Sequence, residues 1–261
     1  MEPLYIIKIG GNIIDEESKL SSFLKEFSQL QGHKILVHGG GKLATRLADQ
    51  LGIPQQMTEG RRITDAETLK VVTMVYAGYI NKNIIARLQS TGCNALGLTG
   101  ADGNSIKAHR RQHASIDYGF VGDIDSINTQ WINSLVAQNT TLVFAPITHD
   151  QQGQLLNTNA DTIAQELSKA MSRDYDVTLV YTFEKKGVLE NLEDDSSLVP
   201  AITPSLYKEL RTQGKIFAGM IPKLDNAFAA LSSGVKKVII GKAEELSLLM
   251  NGTSGTSIIN E

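Results

Sequence analysis

Two short, almost uninterrupted apolar runs, each ending in a cluster of glycines, set the strongest limit on how this chain can fold. Leu4–Ile9 runs into Gly10-Gly11, and Lys34–Val37 runs into His38-Gly39-Gly40-Gly41. Strands covered on both faces lose the alternation of half-exposed ones, so such runs read as buried strands of a parallel sheet feeding glycine turns. The intervening segments agree. Leu20, Phe23, Leu24, Phe27 and Leu30 recur at helical spacing, and Lys42–Leu51 is a second helical stretch stopped by Gly52 and Pro54. A longer helix is expected over about Asp65–Leu88, carried by Leu69, Val72, Val75, Ile80, Ile84 and Leu88. Thr64 is its expected N-cap, with Glu67 as capping-box partner.

The same alternation continues. Ala95–Leu98, Thr141–Ala145, Val177–Tyr181 and Val238–Ile240 read as strands, and Trp131–Gln138, Asn159–Met171, Leu206–Gln213 and Leu224–Ser232 as helices. The polar stretch Ser105–Asp125 reads as a hairpin or flap, and Glu190–Ser197 as a solvated loop. The prediction is an α/β three-layer αβα sandwich around a mainly parallel open sheet, one domain over 1–261 whose two lobes share the sheet.

At 261 residues the chain is long enough for a large core, and its net charge of −3 gives no basic footprint for nucleic acid. The single Cys93 cannot form an internal disulfide and reads as a structural thiol in a reducing compartment. With no leader-like opening and no run of about 18 apolar residues, a cytoplasmic protein without a membrane span is expected.

In open parallel sheets ligands gather at the carboxyl ends of strands, where both glycine clusters fall. Glycine lets backbone N–H groups approach an anion closely, and the helix beginning near Lys42 adds the positive end of a dipole. Lys8 interrupts an apolar strand with a charge that is costly to bury unpaired, which marks it as a functional cation. Asn157-Thr158-Asn159-Ala160-Asp161 supplies a carboxylate, and Gly219-Met220-Ile221-Pro222-Lys223 a second lysine that alone says little. These are the parts of a phosphoryl-transfer site without a Walker P-loop. A rival exists: Gly39-Gly40-Gly41-Lys42-Leu43-Ala44 satisfies the dinucleotide fingerprint G-x-G-x-x-A. The acid which that fingerprint requires would be Glu59, but Gln55–Arg62 is not a buried strand. His109 and His113, four apart, read as incidental flap histidines rather than a zinc pair.

Taken in order, these islands resemble the amino acid kinase family, and within it the branch acting on N-acylated glutamate. Glu59–Thr64, Gly97–Gly103, Val121-Gly122-Asp123 and Gly255-Thr256-Ser257-Ile258 extend the resemblance over the whole chain. It implies transfer of phosphate from ATP to the γ-carboxylate of N-acetyl-L-glutamate or N-succinyl-L-glutamate, the second step of arginine biosynthesis. It also implies the roles. Lys8 and Lys223 would stabilise the transferring phosphoryl group, Asp161 would orient both lysines, and Gly11 and Gly40 would offer N–H groups to its oxygens. Gly40 and Gly41 would help seat the substrate, Arg62 would clamp its α-carboxylate, and Asn157 would bond the same region. The acylglutamate lobe would span about 1–175 and the nucleotide lobe about 176–261. Magnesium would ride on the ATP phosphates, with no metal site of the protein's own.

The nucleotide end departs from the family pattern. Glu184-Lys185-Lys186-Gly187-Val188-Leu189 carries Glu184 where the family has Asp, followed by two lysines, and Lys215-Ile216-Phe217 would be the second nucleotide-contacting stretch. Arg61 stands where the family carries an apolar residue and is expected to face solvent; pointing inward, it would suit an acyl group with its own carboxylate. The resemblance further implies a homodimer through the Asp65–Leu88 helix, insensitive to arginine because the chain opens on its first strand. A sister kinase of the family, or a non-catalytic sensor on the same fold, is the alternative.

Overall fold

The computed structural model describes residues 1–58, 61–191, 193–216 and 220–260, with every side chain among them except that of Pro222. Glu59, Gly60, Leu192, Phe217 and Gly219, all within the motifs and loops named above, lie outside the described residues.

In chain order the first strands are β1 (Pro3–Ile9), β2 (His33–His38), β3 (Gln56–Thr58), β4 (Arg61–Ile63), β5 (Ala95–Leu98), β6 (Ile106–Arg110) and β7 (Gly122–Ile127). They are followed by β8 (Thr141–Phe144), β9 (Ile147–His149), β10 (Leu155–Asn157), β11 (Asp176–Phe183), β12 (Ala201–Ile202), β13 (Lys237–Lys242) and β14 (Thr256–Ile258). The helices are α1 (Gly11–Asp15), α2 (Glu17–Gln29), α3 (Gly41–Gln50), α4 (Ala66–Thr73), α5 (Asn81–Ser90) and α6 (Thr129–Val136). After them come α7 (Ala160–Met171), α8 (Pro204–Thr212), α9 (Ile221–Ser232) and α10 (Leu246–Met250). The main sheet has the order β12-β14-β13-β11-β1-β2-β8-β5, parallel except where β14 meets β13. One sheet therefore runs through both halves of the chain, meeting at the β1–β11 pair.

In the main sheet β1, β2, β5, β8, β11 and β13 each feed two cores. On β1, Leu4 and Ile6 pack with α7 and α9, whereas Ile7 and Ile9 pack on the opposite face with α2, α3 and the α4–α5 helix. Strand side chains alternate between faces, so two apolar layers on one run force helices onto both sides. This is the three-layer sandwich expected from the sequence. Lys8 has the parity of Leu4 and Ile6, so it points to the α7/α9 face. The polar stretch is a hairpin as expected: β6 and β7 pair antiparallel within a smaller sheet of order β10-β9-β6-β7. Among the described residues no helix is long and apolar enough to cross a membrane.

The long helix is present but differs in two respects. Its N-cap is Asp65, whose side chain accepts from the Thr68 N–H at 2.7 Å, one residue later than expected. Thr64 is still extended, bridged to Gly119, and its hydroxyl already donates to the Arg62 carbonyl at 2.8 Å. Its middle turns, Met74–Ile80, are π-helical, joining α4 to α5. Such segments are rare overall yet frequent at functional sites, and this one packs Tyr76 and Ile80 over Gly40.

Candidate active site

Lys8, at the end of β1, meets Asp161 from the first turn of α7 and Lys223 from the first turn of α9. Lys8 Nζ lies 2.8 Å from Asp161 Oδ1, and Lys223 Nζ donates to Asp161 Oδ2 at 2.7 Å. Asn159 caps α7, accepting from the Thr162 N–H at 3.1 Å, which fixes where Asp161 projects. Burial alone would push the Asp161 carboxyl up. The Lys8 ammonium, then that of Lys223, outweigh it and hold the group well below the usual carboxylate range. Asp161 is thus ionised, and two ammoniums on one carboxylate leave a net positive charge facing the cleft. The Tyr181 hydroxyl donates to the Asp161 main-chain oxygen at 3.3 Å, and burial followed by the Asp161 charge pushes its phenol well up, so it stays protonated. The Lys223 ammonium sits 5.9 Å from the ring centres of both Tyr181 and Phe183, which holds its stem against β11.

The two glycine turns face each other beside this ion cluster. The Gly39 N–H donates to the Ile9 carbonyl at 3.1 Å, joining the ends of β1 and β2. A methyl on Gly11 would lie 3.9 Å from the Gly41 nitrogen and 4.0 Å from that of Gly40. Gly40 has φ +147°, and a side chain there would come within 2.3 Å of Ile80 Cδ1, so only glycine fits. Gly41 opens α3, which adds its positive dipole end to the turn.

Lys8, Gly11, Gly40, Gly41 and Asp161 line one cleft of about 240 Å³, whose far wall includes Arg62 and Asn157. Arg62 is buried on β4. Its Nη2 donates to the Gly41 carbonyl at 3.0 Å and to Thr45 Oγ1 at 2.9 Å, and its Nη1 donates to Gln55 Oε1. These acceptors lock the guanidinium plane. Asn157 ends β10 and donates through Nδ2 to Thr64 Oγ1 at 3.0 Å, the bond that keeps Thr64 from capping the helix. Arg61, expected to face solvent, is half-buried and is among the residues that border the same cleft. Met57 pairs with Arg62 and shares its face, whereas Arg61 pairs with Thr58 on the other, so the cleft reaches around the short β3–β4 ribbon.

Among the described residues, none of those expected at the nucleotide lines this cleft. Val188 and Ile216 sit in the core, and Leu189 is buried with them. The Val188 N–H donates to Thr256 Oγ1 at 2.8 Å, and a methyl on Gly187 would come within 2.6 Å of that same oxygen, so Gly187 has a packing reason. Lys186 lies 3.9 Å from Asp195, and Lys215 bonds Glu190 at 2.7 Å. Glu184 reaches furthest, accepting from Asn12 Nδ2 beside the first glycine turn. The two border an open recess of about 490 Å³ with Lys42 and Arg46. His109 pairs with Asp125 at 2.6 Å, and His113 stacks edge-on against Tyr118.

His38, for which no local sequence signal alone indicates a role, is fully buried. Its Nδ1 lies 2.8 Å from the Gly39 carbonyl and its Nε2 3.2 Å from Asn81 Nδ2. Burial pushes its pKa down to about 4 from the ordinary 6.5, so it is neutral. The unfolded chain then binds more protons than the native one between about pH 6.5 and 4, and native stability falls as pH drops through that window, by up to about 3 kcal/mol. The depressed Asp161 carboxyl acts lower, its contribution being lost only as pH falls below the ordinary carboxylate range. Denaturant midpoints at pH 7 and 5 should therefore differ in the wild type and converge in His38→Asn. A wild-type midpoint unchanged between them contradicts this.

A model of the amino acid kinase family matches residues 3–242. An acetylglutamate kinase from Phocaeicola vulgatus is 56% identical over 257 residues, covering 98% of each chain. One from Cytophaga hutchinsonii is 55% identical over 262 residues, covering 99% of each. Among solved structures, a carbamate kinase from Giardia superposes with a TM-score of 0.73 at 15% identity, covering 100% of this chain and 99% of that one, a likeness of fold alone.

Proposed function

The chain belongs to the amino acid kinase family, and from that premise we propose that its cleft transfers the γ-phosphoryl group of ATP to the γ-carboxylate of N-acetyl-L-glutamate, the second step of arginine biosynthesis. The observation that carries the reading is Asp161 held between Lys8 and Lys223 beside two facing glycine turns. The full-length relatives named acetylglutamate kinase support the choice of substrate.

A carboxylate oxygen attacks the γ-phosphorus, the bond from phosphorus to the bridging oxygen of ADP breaks, and the products are an acyl phosphate and ADP. No proton is removed, so the site needs no base, and an ionised Asp161 flanked by two cations is unsuited to being one. Lys8 and Lys223 neutralise charge on the transferring group, and the N–H groups of Gly11 and Gly40 bond its oxygens. Gly41 helps seat the substrate while Arg62 and Asn157 hold its α-carboxylate end. Magnesium enters on the nucleotide phosphates. Residues 1–175 take the acylglutamate and 176–261 the nucleotide, which Lys185, Lys186, Lys215 and the backbone around Gly187–Leu189 would contact. Glu184 links the two through Asn12. The enzyme is cytoplasmic, and a homodimer would cover the exposed Met74 and Tyr79 of the π-helical segment.

A second reading concerns the acyl group and rests on Arg61 lining the cleft. A guanidinium there would bind a terminal carboxylate, as in N-succinyl-L-glutamate. ADP release should be measured with Mg-ATP and the acetyl, succinyl or free amino acid. Turnover of an acylated glutamate, and none of the free one, is expected. If Arg61 reads the acyl group, Arg61→Ala lowers kcat/KM for the succinyl substrate about tenfold or more relative to the acetyl one. An acetyl preference untouched by the substitution ends the second reading, and silence with all three ends the first.

A further inference from the structure

We propose that His38, oriented by Asn81, is the positioning residue that keeps the Gly39–Gly40 peptide turned with its N–H towards the cleft. The inference rests on the kinase reading for its catalytic consequence, but its geometry stands by itself. The Gly39 carbonyl and the Gly40 N–H belong to one planar trans peptide unit and point in opposite directions. Whatever holds the carbonyl also aims the N–H. The carbonyl meets the His38 ring at 2.8 Å, and that ring is fully buried at the end of β2, away from solvent. Gly40 itself lines the cleft. Flipped by half a turn, the same peptide would present a carbonyl dipole to an incoming phosphoryl group. A peptide between two glycines resists such a flip poorly, because neither residue has a Cβ to restrict it.

The anchor works only if the proton sits on Nδ1, and the surroundings dictate that tautomer. The Asn81 side chain is buried, and its amide orientation is fixed from both ends. Its oxygen accepts from the Lys82 ammonium at 3.2 Å, while its nitrogen donates to the Val143 carbonyl at 3.0 Å. The amide nitrogen has only protons to offer, so His38 Nε2 at 3.2 Å must be the unprotonated acceptor. Nδ1–H is then the donor to Gly39. Gly97 makes room for this arrangement, since a side chain there would come within 1.9 Å of Asn81 Oδ1. Asn81 is the first residue of α5, directly after the π-helical segment that places Tyr76 and Ile80 against Gly40. One stretch of helix thus supports the turn by packing and by hydrogen bonding together.

Two substitutions separate positioning from bulk. In His38→Asn the amide nitrogen occupies the place of Nδ1, and in His38→Gln that of Nε2. His38→Asn should rescue kcat to within about threefold of wild type, whereas His38→Gln should lower it at least about tenfold at a similar Tm, with the KM for ATP little changed. Equal losses in both variants, in step with their Tm, would overturn the proposal. So would a His38→Gln enzyme of undiminished kcat. Nitrogen-15 NMR of the wild-type histidine rings supplies a readout independent of turnover. A neutral Nδ1–H tautomer for His38 at pH 7 is expected, and an Nε2–H tautomer would overturn the proposal even if no acylglutamate proves to be a substrate.

Discussion

Replacing Lys8 with methionine should lower kcat by about 10²–10³-fold while the fold survives. Lys8 shares its strand face with Leu4 and Ile6, so an unbranched apolar side chain of similar length packs at the same place. The change removes one of two ammoniums from Asp161 and takes the net positive charge of the cluster to zero. In phosphoryl transfer the protein contributes positioning and charge stabilisation rather than covalent chemistry, so a missing preorganised cation is felt in the transition state. The loss should fall on kcat more than on either KM, the signature of an interaction made mainly in the transition state. Asp161 keeps Lys223 at 2.7 Å and so is not left as an unpaired buried charge. Steady-state kinetics with a melting curve decide it, and kcat within about threefold of wild type would remove Lys8 from the mechanism.

Arg62→Lys should act on the other half of the site. Three acceptors hold the guanidinium plane of Arg62: the Gly41 carbonyl, Thr45 Oγ1 and Gln55 Oε1. Those bonds take three of its five N–H groups and fix the plane, so the remaining donors meet a carboxylate at a set position, which a flexible ammonium cannot reproduce. The KM for the acylglutamate should rise by about 10- to 100-fold while that for ATP stays within about twofold, because charge is kept and only the fork is lost. Equal rises in both KM values would mean that Arg62 shapes the cleft as a whole. An unchanged acylglutamate KM would mean that it does not hold the substrate.

The sequence carried the fold well because its signals were local. The doubly apolar runs of β1 and β2, with parity alternating between two cores, require helices on both faces, and the glycines after them mark the turns. Short pieces escaped: β9, β10 and β14 have only three residues each, too few to show a period. The expected cap at Thr64 failed because its hydroxyl is claimed by Arg62 and by Asn157, a residue from a distant strand. In the site, Lys8 was legible as a charge in an apolar strand. Its convergence with Asp161 and Lys223, however, was implied by resemblance, since no spacing on one element brings β1, α7 and α9 together. His38 and Asn81 are 43 positions apart and were invisible as a pair. The signals that could have found them were a histidine closing a buried strand and an asparagine on the apolar stripe of a helix. Nothing local to Arg61 indicates which way it faces, and the cleft borders both faces of its three-residue strand.

The most direct test of the central claim is the chemical nature of the product. Wild-type enzyme, Mg-ATP and N-acetyl-L-glutamate should be incubated with hydroxylamine, which converts an acyl phosphate to a coloured hydroxamate. Hydroxamate in step with ADP, abolished in Lys8→Met, is the result predicted for carboxylate phosphorylation in this cleft. ADP formed without hydroxamate, or hydroxamate formed equally by Lys8→Met, would contradict it.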